Sequence, residues 1–194
     1  MRKLTAIEFL SVDGVMQGYG SPDEDPSGGF RHGGWAADYA ADEELMAANA
    51  ESLSADSAYL FGRRTYEKMA AFWPTGPSDV PFTSHLNNSP KYVASTTLRE
   101  VSWQNTTLLE GDVPKAVTEL KHEQGGDIVV LGSGMLVQTL MSHDLVDRFT
   151  LLVHPLLLGG GKRLFPDDQQ MRRLRLIDSR TTSKGNLTLT YQLA

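Results

Sequence analysis

The 194-residue chain has no cysteine, no long hydrophobic run and no excess of positive charge. Without cysteine it has no disulfide, no thiolate zinc site and no cysteine nucleophile, and this composition is typical of a cytoplasmic protein. A membrane-spanning helix needs about 20 consecutive apolar residues, so we expect no membrane partner. The formal net charge of −6 disfavours nucleic acid as a partner, because phosphate binding needs clustered Lys and Arg.

What the chain does contain predicts one α/β domain over residues 1–194. Hydrophobic residues make up 40% and charged residues 22%, which is ordinary for a globular protein. A chain of this length can bury a substantial core. The five histidines show no spacing typical of metal ligands, so no metal site is predicted.

Apolar periodicity predicts a mixed sheet that is parallel in the middle and flanked by helices. In the last strand, leucines alternate with polar residues, which is typical of a half-exposed antiparallel strand in a C-terminal hairpin. The Gly- and Asp-rich stretch at 13–34 has no periodicity, and loops of that length are functional or disordered. The predicted strands are 4–10, 58–61, 91–94, 107–109, 128–131, 149–153, 173–177 and 187–193, and the predicted helices are 45–53, 64–72, 113–120 and 135–141.

A buried strand that breaks into Gly132-Ser133-Gly134 before a helix is the most informative stretch of the sequence. Unpaired backbone N–H groups and the positive end of the helix dipole meet at such a point, and glycines let a phosphate approach closely. The Ser133 hydroxyl can cap the helix or donate to the phosphate. The alternative is a tight turn without a ligand.

Two further strands end in residues that suit an anion. Gly62-Arg63-Arg64-Thr65 begins a helix, and arginine forks match phosphate oxygens. Ser95-Thr96-Thr97 places three hydroxyls at another strand end. For each motif by itself there is an alternative without a ligand: the residues at 62–65 can be a solvated helix start, and those at 95–97 can be a simple Ser/Thr turn. Three such strand ends in one chain favour a bound dinucleotide.

These motifs, in this order and spacing, resemble those of the dihydrofolate reductase superfamily. The likeness is greatest to the reductase domain of bacterial riboflavin biosynthesis and its stand-alone relatives, and it covers nearly the whole chain. It implies a dihydrofolate-reductase-like three-layer α/β fold with a mixed central sheet, helices on both faces and an antiparallel C-terminal hairpin. The motifs are SVDGVM at 11–16, GRRTYE at 62–67, STT at 95–97, LGSG at 131–134, and VHPLLLGGG at 153–161 before Leu164-Phe165.

The resemblance also implies an NADPH-dependent oxidoreductase that transfers a hydride to a small pteridine-, pyrimidine- or carbonyl-type substrate. The turn at 132–136 would hold the pyrophosphate, and the loop at 13–18 would close over the nicotinamide. Paired arginines suit the additional phosphate of NADPH. The cofactor-binding residues implied in this way are Val15, Met16, Gln17, Gly62, Arg63, Arg64, Thr65, Ser95, Thr96, Gly132, Ser133, Gly134, Met135 and Leu136.

Asp13 and Trp35 are expected near the substrate. Asp13 opens the loop that follows the first strand. Trp35 is preceded by flexible glycines and suits contact with a planar ring, or alternatively it caps the core.

Asp42 and Glu43 are the candidate catalytic residues. Folate reductases place a carboxylate on the helix after the loop, and counting back from Gly62 puts Met46 there, one turn beyond the two acids. The alternative is that both acids are helix-start charges facing water. Leu152-Val153 replaces the Thr-His pair of folate reductases, so folate reduction is not predicted.

The sequence leaves two alternatives open for the function of the chain. The chain is a reductase, or it is a non-catalytic nucleotide- or ligand-binding protein that keeps the reductase fold. Relatives commonly pair through sheet edges or C-terminal strands, so the resemblance favours a homodimer.

Overall fold

A computed structural model describes residues 1–39, 42–45, 56–77, 80–167 and 170–194. The chain divides into two compact units. The first unit comprises Met1–Ala6 and Leu53–Asp147, and the second comprises Ile7–Ser52 and Arg148–Ala194. The prediction of one domain over residues 1–194 stays a prediction.

The first unit contains a parallel sheet. Its strand β2 (Ala58–Gly62) pairs in parallel with β3 (Lys91–Ala94) on one side and with β5 (Ile128–Leu131) on the other, and β3 pairs in parallel with β4 (Thr106–Leu109). The strands β2 and β5 read as nearly continuous apolar runs because they are buried along their length, as central parallel strands are. Strand β1, Leu4–Ser11, begins in the first unit and continues into the second.

Four α-helices in the described residues of the first unit follow or connect these strands. They are α1 at Arg63–Phe72, α2 at Pro81–Asn88, α3 at Val113–His122 and α4 at Gly134–Ser142. The start of α3 is confirmed, because the Asp112 carboxylate accepts a hydrogen bond from the Lys115 N–H at 2.8 Å. Helix α2 was not predicted from the sequence, since only Thr83 and Leu86 of its residues are buried and its apolar periodicity is short.

The second unit is antiparallel at its C-terminal end. It contains β6 at Arg148–His154, β7 at Leu174–Thr181 and β8 at Leu187–Leu193. Strand β8 pairs antiparallel with both β6 and β7, and a bulge interrupts the second pairing between Leu176 and Asp178. The predicted antiparallel hairpin is therefore confirmed, although β7 runs four residues beyond its predicted end.

The parallel strands, the antiparallel C-terminal strands and the intervening helices confirm the predicted mixed α/β fold. Residues 43–45 are helical, so the helix whose apolar face was predicted at 45–53 includes Glu43 in its first turn, as expected. The rest of that helix, including Met46, lies outside the described residues. No helix in the described part of the chain has the length and apolarity that crossing a membrane requires.

Candidate functional site

The three predicted phosphate motifs follow neighbouring strands of the first unit. Strands β3, β2 and β5 lie side by side and run in the same direction, with Gly62 opposite Ala94 and Leu60 opposite Val130. Their carboxyl ends therefore share one edge of the sheet, which is where ligands bind in parallel α/β sheets. We call this edge, with residues 62–65, 95–97 and 132–136, the strand-end site.

The turn after β5 is held by Ser133. Both Gly132 and Ser133 adopt left-handed backbone conformations, with φ of 64° and 66°. The Ser133 hydroxyl oxygen accepts a hydrogen bond from the Gly62 N–H at 3.0 Å, which joins the turn to the end of β2. Of the two alternatives for the Ser133 hydroxyl, capping of α4 does not occur, because the backbone of Ser133 is left-handed and not extended as in a capping residue.

Arg63 joins the second motif to the third. One Nη1–H donates to the Thr97 hydroxyl at 3.0 Å, and Nε lies 3.8 Å from a Glu67 carboxylate oxygen. The side chain is 45% exposed, so it keeps a face toward solvent. Arg64 is also exposed. Arg63 therefore contacts both Glu67 of its own helix and the hydroxyl motif at the end of β3.

Ser95 closes the third motif into a Ser/Thr turn. Its hydroxyl oxygen accepts hydrogen bonds from the N–H groups of Thr97 at 3.2 Å and Leu98 at 2.9 Å. This turn is the structural alternative that the sequence left open, and it also presents the Thr97 hydroxyl to Arg63. Thr96 is exposed at the tip of the turn.

Two helix N-termini open at the strand-end site. Helix α1 begins directly after Gly62, and α4 begins at Gly134, beside an exposed Met135 and a buried Leu136. The first N–H groups of a helix have no partner within that helix, and they carry the positive end of its dipole. A Cβ on Gly132 would lie 3.7 Å from the Thr65 methyl group, so Thr65 flanks the turn directly. The first unit thus collects amides, hydroxyls and arginines at one edge.

In the second unit, the Asp13 side chain is hydrogen-bonded to the turn that follows β6. Its carboxylate accepts hydrogen bonds from the Ser11 hydroxyl at 2.7 Å and from the N–H groups of Leu158 and Gly159 at 3.1 and 2.9 Å. The Ser11 bond is the largest influence, and together these bonds lower the pKa of Asp13 to about 2, so the group is ionised at neutral pH. Its predicted contact with substrate stays a prediction.

The loop predicted to cover the nicotinamide is tied down by Gln17. The Gln17 amide donates to the carbonyls of Asp25 and Ser27 at 2.8 and 2.9 Å, and its oxygen accepts from the Lys162 N–H at 2.9 Å. Val15 is fully buried, while Met16 is half-buried. The side chain of Gln17 is therefore committed to holding the loop, and the predicted cofactor contacts of these three residues stay predictions.

The two candidate catalytic acids differ in their surroundings. Glu43 is exposed, whereas Asp42 is 3% exposed. One oxygen of Asp42 accepts from the Thr182 hydroxyl and the Asn186 amide, both at 2.6 Å, and the other accepts from the Leu45 N–H at 3.2 Å. Burial alone would raise the pKa of Asp42, but these hydrogen bonds outweigh it and hold the pKa below its usual value. Asp42 is thus an ionised, fully bonded carboxylate that does not face water.

His154, at the end of β6, is buried, and the sequence interpretation gave it no role at a site. Its Nδ1 lies 2.8 Å from the Asn186 amide oxygen, which continues the contact chain from Asp42. Its ring is surrounded by aromatic side chains, among them Trp35 at 5.4 Å between ring centroids. Trp35 donates its Nε1–H to the Gln17 carbonyl at 2.8 Å. The sequence did contain a feature that could have singled out His154, since a histidine stands directly before Pro155 at the end of an apolar strand.

The fold of this chain is dihydrofolate-reductase-like. The chain belongs to the family of the RibD C-terminal domain, whose sequence profile matches residues 2–188. This confirms the family resemblance drawn from the sequence motifs.

Individual relatives agree with this assignment. YyaP of Bacillus subtilis (strain 168), an uncharacterised protein, is 30% identical over 135 residues, which cover 68% of this chain and 71% of YyaP. A candidate riboflavin biosynthesis protein from Shewanella sp. PV-4 superposes with a TM-score of 0.66 at 19% identity over 99% of both chains. Dihydrofolate reductase from Enterococcus faecalis, solved with NADP(H), superposes with a TM-score of 0.57 at 14% identity over 98% of this chain and 96% of that one. These structures show a shared fold.

Proposed function

We propose that this protein is an NADPH-dependent reductase and that the strand-end site holds the phosphates of the cofactor. The observation that carries the proposal is the convergence of the three motifs at one edge of the parallel sheet, joined by the Gly62–Ser133 and Arg63–Thr97 hydrogen bonds. Membership of the RibD C-terminal domain family and the NADP(H)-bound structural neighbour support it.

The donors at the strand-end site match the chemistry of a dinucleotide phosphate. The N-terminus of α4 with Gly132 and Gly134 suits the pyrophosphate, since glycines admit a close approach and the amides point toward the anion. Arg63, Arg64 and the hydroxyls at 95–97 suit the additional phosphate of NADPH, because an arginine fork binds phosphate oxygens bidentately. The residues present therefore fit this cofactor.

When bound, NADPH supplies a hydride for the reduction of a polarised C=N or C=O group. The contribution of the chain is binding and orientation. Arg63 and Ser133 preorganise the phosphate donors, because each is already fixed by a hydrogen bond to a neighbouring strand end. Asp42 accepts hydrogen bonds from Thr182 and Asn186, which hold its pKa below its usual value, so in this proposal it orients these neighbours.

The test compares Arg63→Gln with Arg180→Gln. Both arginines are similarly exposed, at 45% and 48%, and both have a carboxylate neighbour, but only Arg63 lies at the strand-end site. NADPH affinity is measured by the change in nicotinamide fluorescence. Loss of a charged hydrogen-bond donor to phosphate is expected to weaken binding about 10-fold or more in Arg63→Gln, while Arg180→Gln binds as the wild type does.

Two results would count against the proposal in different ways. If the wild type does not bind NADPH, or if Arg63→Gln binds it as tightly as the wild type, the strand-end site is not the phosphate site. If NADPH binds but is not oxidised with any pteridine, pyrimidine or carbonyl substrate in a broad panel, the non-catalytic alternative holds instead. NADPH oxidation is followed by absorbance in the same samples.

A further inference from the structure

The loop that joins β3 to β4, residues 95–105, is attached to helix α1 at two points. Near its start, the Arg63 guanidinium donates to the Thr97 hydroxyl at 3.0 Å. Near its end, the Tyr66 hydroxyl oxygen accepts hydrogen bonds from the N–H groups of residues 102 and 103, at 3.0 and 3.1 Å. Arg63 and Tyr66 are three positions apart, so they lie on the same face of α1. We call residues 95–105 the β3–β4 loop.

The two attachments differ in their burial. Arg63 and Thr97 are both exposed, and water competes for the hydrogen bond between them. Tyr66 and Trp103 are each only 4% exposed. A hydrogen bond is stronger where water is excluded, so the Tyr66 attachment is the more persistent of the two. The position of the β3–β4 loop relative to α1 therefore depends more on Tyr66 than on Arg63.

The end of the β3–β4 loop is also fixed on its other side. The Trp103 indole N–H donates to the Asn87 side-chain oxygen at 2.7 Å, and Nζ of Lys91 lies 4.8 Å from the centre of the Trp103 ring. The Asn105 carbonyl accepts from the Lys91 N–H at 2.7 Å. The end of the loop is thus held against α2 and β3, and Tyr66 joins α1 to this fixed point.

The start of the β3–β4 loop carries the hydroxyls at 95–97. In the proposed function these hydroxyls and Arg63 suit the additional phosphate of NADPH, which NADH lacks. Binding costs less conformational entropy when the donors are already held in place. A group that keeps the loop beside α1 should therefore favour NADPH and have little effect on NADH.

We propose that Tyr66 is a positioning residue for the cofactor phosphate. By tying the end of the β3–β4 loop to α1, its hydroxyl keeps residues 95–97 beside Arg63 and so favours NADPH over NADH. The hydrogen bonds of Tyr66 go to backbone N–H groups, so Tyr66 acts through the loop and not by touching the cofactor. This inference rests on the proposed function.

The experiment compares Tyr66→Phe with Tyr59→Phe in the full chain. Tyr59 lies in β2 and is also buried, but its hydroxyl has no hydrogen-bond partner in the part of the chain that the structure describes. NADPH affinity is measured by nicotinamide fluorescence, and NADH affinity by competition with NADPH. Tyr66→Phe is expected to lower the ratio of NADPH affinity to NADH affinity by about 5-fold or more, whereas Tyr59→Phe changes it by less than about 2-fold.

The affinity ratio distinguishes positioning from a general contribution to the fold. If Tyr66 only stabilised the first unit, Tyr66→Phe would weaken both cofactors by the same factor and leave the ratio unchanged. That result in a folded variant would overturn the proposal.

A double variant tests whether Tyr66 acts through the phosphate donors. Arg63→Gln removes the arginine beside which the hydroxyls are held, so adding Tyr66→Phe to it should change the affinity ratio by less than about 2-fold. A further 5-fold loss or more in the double variant would show that Tyr66 acts independently of Arg63, and the proposal would be wrong.

Hydrogen exchange in the wild type provides a readout that does not depend on any variant folding. Saturating NADPH should slow exchange of the Ser102 and Trp103 amides more than saturating NADH does, because only NADPH engages the start of the same loop through its additional phosphate. Equal protection by the two cofactors would overturn the proposal.

The outcomes for this inference and for the proposed function are distinguishable. A wild type that does not bind NADPH contradicts both. A wild type that binds NADPH, and binds it more weakly in Arg63→Gln, but keeps its affinity ratio in Tyr66→Phe contradicts this inference alone.

Discussion

At the scale of single residues, Glu8 is an acidic side chain buried in the sheet. It lies in β1 and is 3% exposed, and its Oε1 has no hydrogen-bond partner among the described residues. Burial raises the pKa of Glu8 to about 8, so the carboxyl group is protonated at neutral pH. The burial of Glu8 could not be predicted from the sequence. Glu8 lies between two apolar residues of a correctly predicted strand, where a charged residue is expected to face solvent.

The pH dependence of stability should reveal this buried acid. The unfolded chain releases the Glu8 proton near its ordinary pKa of 4.5, whereas the folded chain keeps it to about 8. Between these values unfolding releases a proton, so rising pH favours unfolding. Glu8→Gln is therefore expected to gain about 2–4 kcal/mol relative to the wild type between pH 5 and pH 8. Urea denaturation at both pH values measures the gain.

The control for this prediction is Glu119→Gln, an acid on α3 with 67% of its side chain exposed. Its stability relative to the wild type should change little over the same pH range. An equal gain in both variants would mean that net charge, not burial of Glu8, sets the pH dependence.

Lys91 illustrates why residue chemistry was harder to predict than secondary structure. The start of β3 was predicted at this residue, yet nothing in the pattern indicates that its side chain is fully buried. Its Nζ donates to the carbonyls of Leu86, Asn87 and Ser89, and lies 4.8 Å from the centre of the Trp103 ring. These acceptors lie at the end of α2, the helix that was missed, so the role of Lys91 could not be deduced without it.

At the scale of elements, Ser133 connects two strand ends at the cost of local strain. A residue with a side chain in the left-handed region is disfavoured by about 1 kcal/mol, and glycine removes this penalty. The hydrogen bond from Gly62 contributes a similar amount. The two effects can be separated with two substitutions.

Ser133→Ala keeps the strain and loses the hydrogen bond, so it should destabilise the protein by about 1–2 kcal/mol. Ser133→Gly loses both, so its stability should lie within about 0.5 kcal/mol of the wild type. Chemical denaturation of the three proteins measures the difference. Equal losses in the two variants would show that strain at this turn is negligible.

Asp147 connects β1 to α3. One carboxylate oxygen accepts from the Leu4 N–H and from Nζ of the buried Lys121, both at 2.7 Å. Burial alone would raise the pKa of Asp147, but the bonds from Lys121 and Leu4 outweigh it, and the pKa lies below its ordinary value of 3.8. The pair therefore stabilises the fold above that value, and the contribution is lost as pH falls through the lower folded-state pKa.

Asp147→Asn should remove this acid sensitivity. At pH 7 the variant is expected to be less stable by about 3 kcal/mol, because the Lys121 ammonium stays buried without its counter-charge. The deficit should shrink as the pH falls below 3.8. Thermal unfolding at pH 7 and pH 2.5 measures both values, and a deficit that does not change with pH would rule out the ion pair as its cause.

Structural features that depend on a local sequence pattern were predicted, whereas contacts between distant residues were not. The parallel strands and the cap at Asp112 were predicted correctly, since each depends on local periodicity or a capping residue. The contacts of Ser133 and Arg63 at the strand-end site required the strand order as well. The hydrogen bonds that Asp42 accepts from Thr182 and Asn186 join residues about 140 positions apart, and no local pattern predicts them.

At the scale of the whole molecule, β7 leaves apolar surface uncovered. It is the terminal strand of the sheet order, and all eight of its residues are exposed. Leu174, Leu176 and Ile177 are exposed by 39, 48 and 42%. An exposed edge strand with apolar side chains is a template for pairing with another chain. We propose that a second copy of this chain covers β7 and that the expected homodimer forms through this strand.

This proposal predicts that charge on β7 separates the copies. Leu176→Lys places an ammonium on the edge, and natural proteins use such lysines to prevent strand pairing. The wild type is expected to have the mass of a dimer in light scattering after size exclusion at micromolar concentration, and Leu176→Lys that of a monomer. Lys184→Leu is the control, because it changes one exposed residue between β7 and β8 without altering the charge of either strand. It should remain a dimer, whereas a wild type that is monomeric, or a Leu176→Lys variant that is still dimeric, would show that β7 is not the interface.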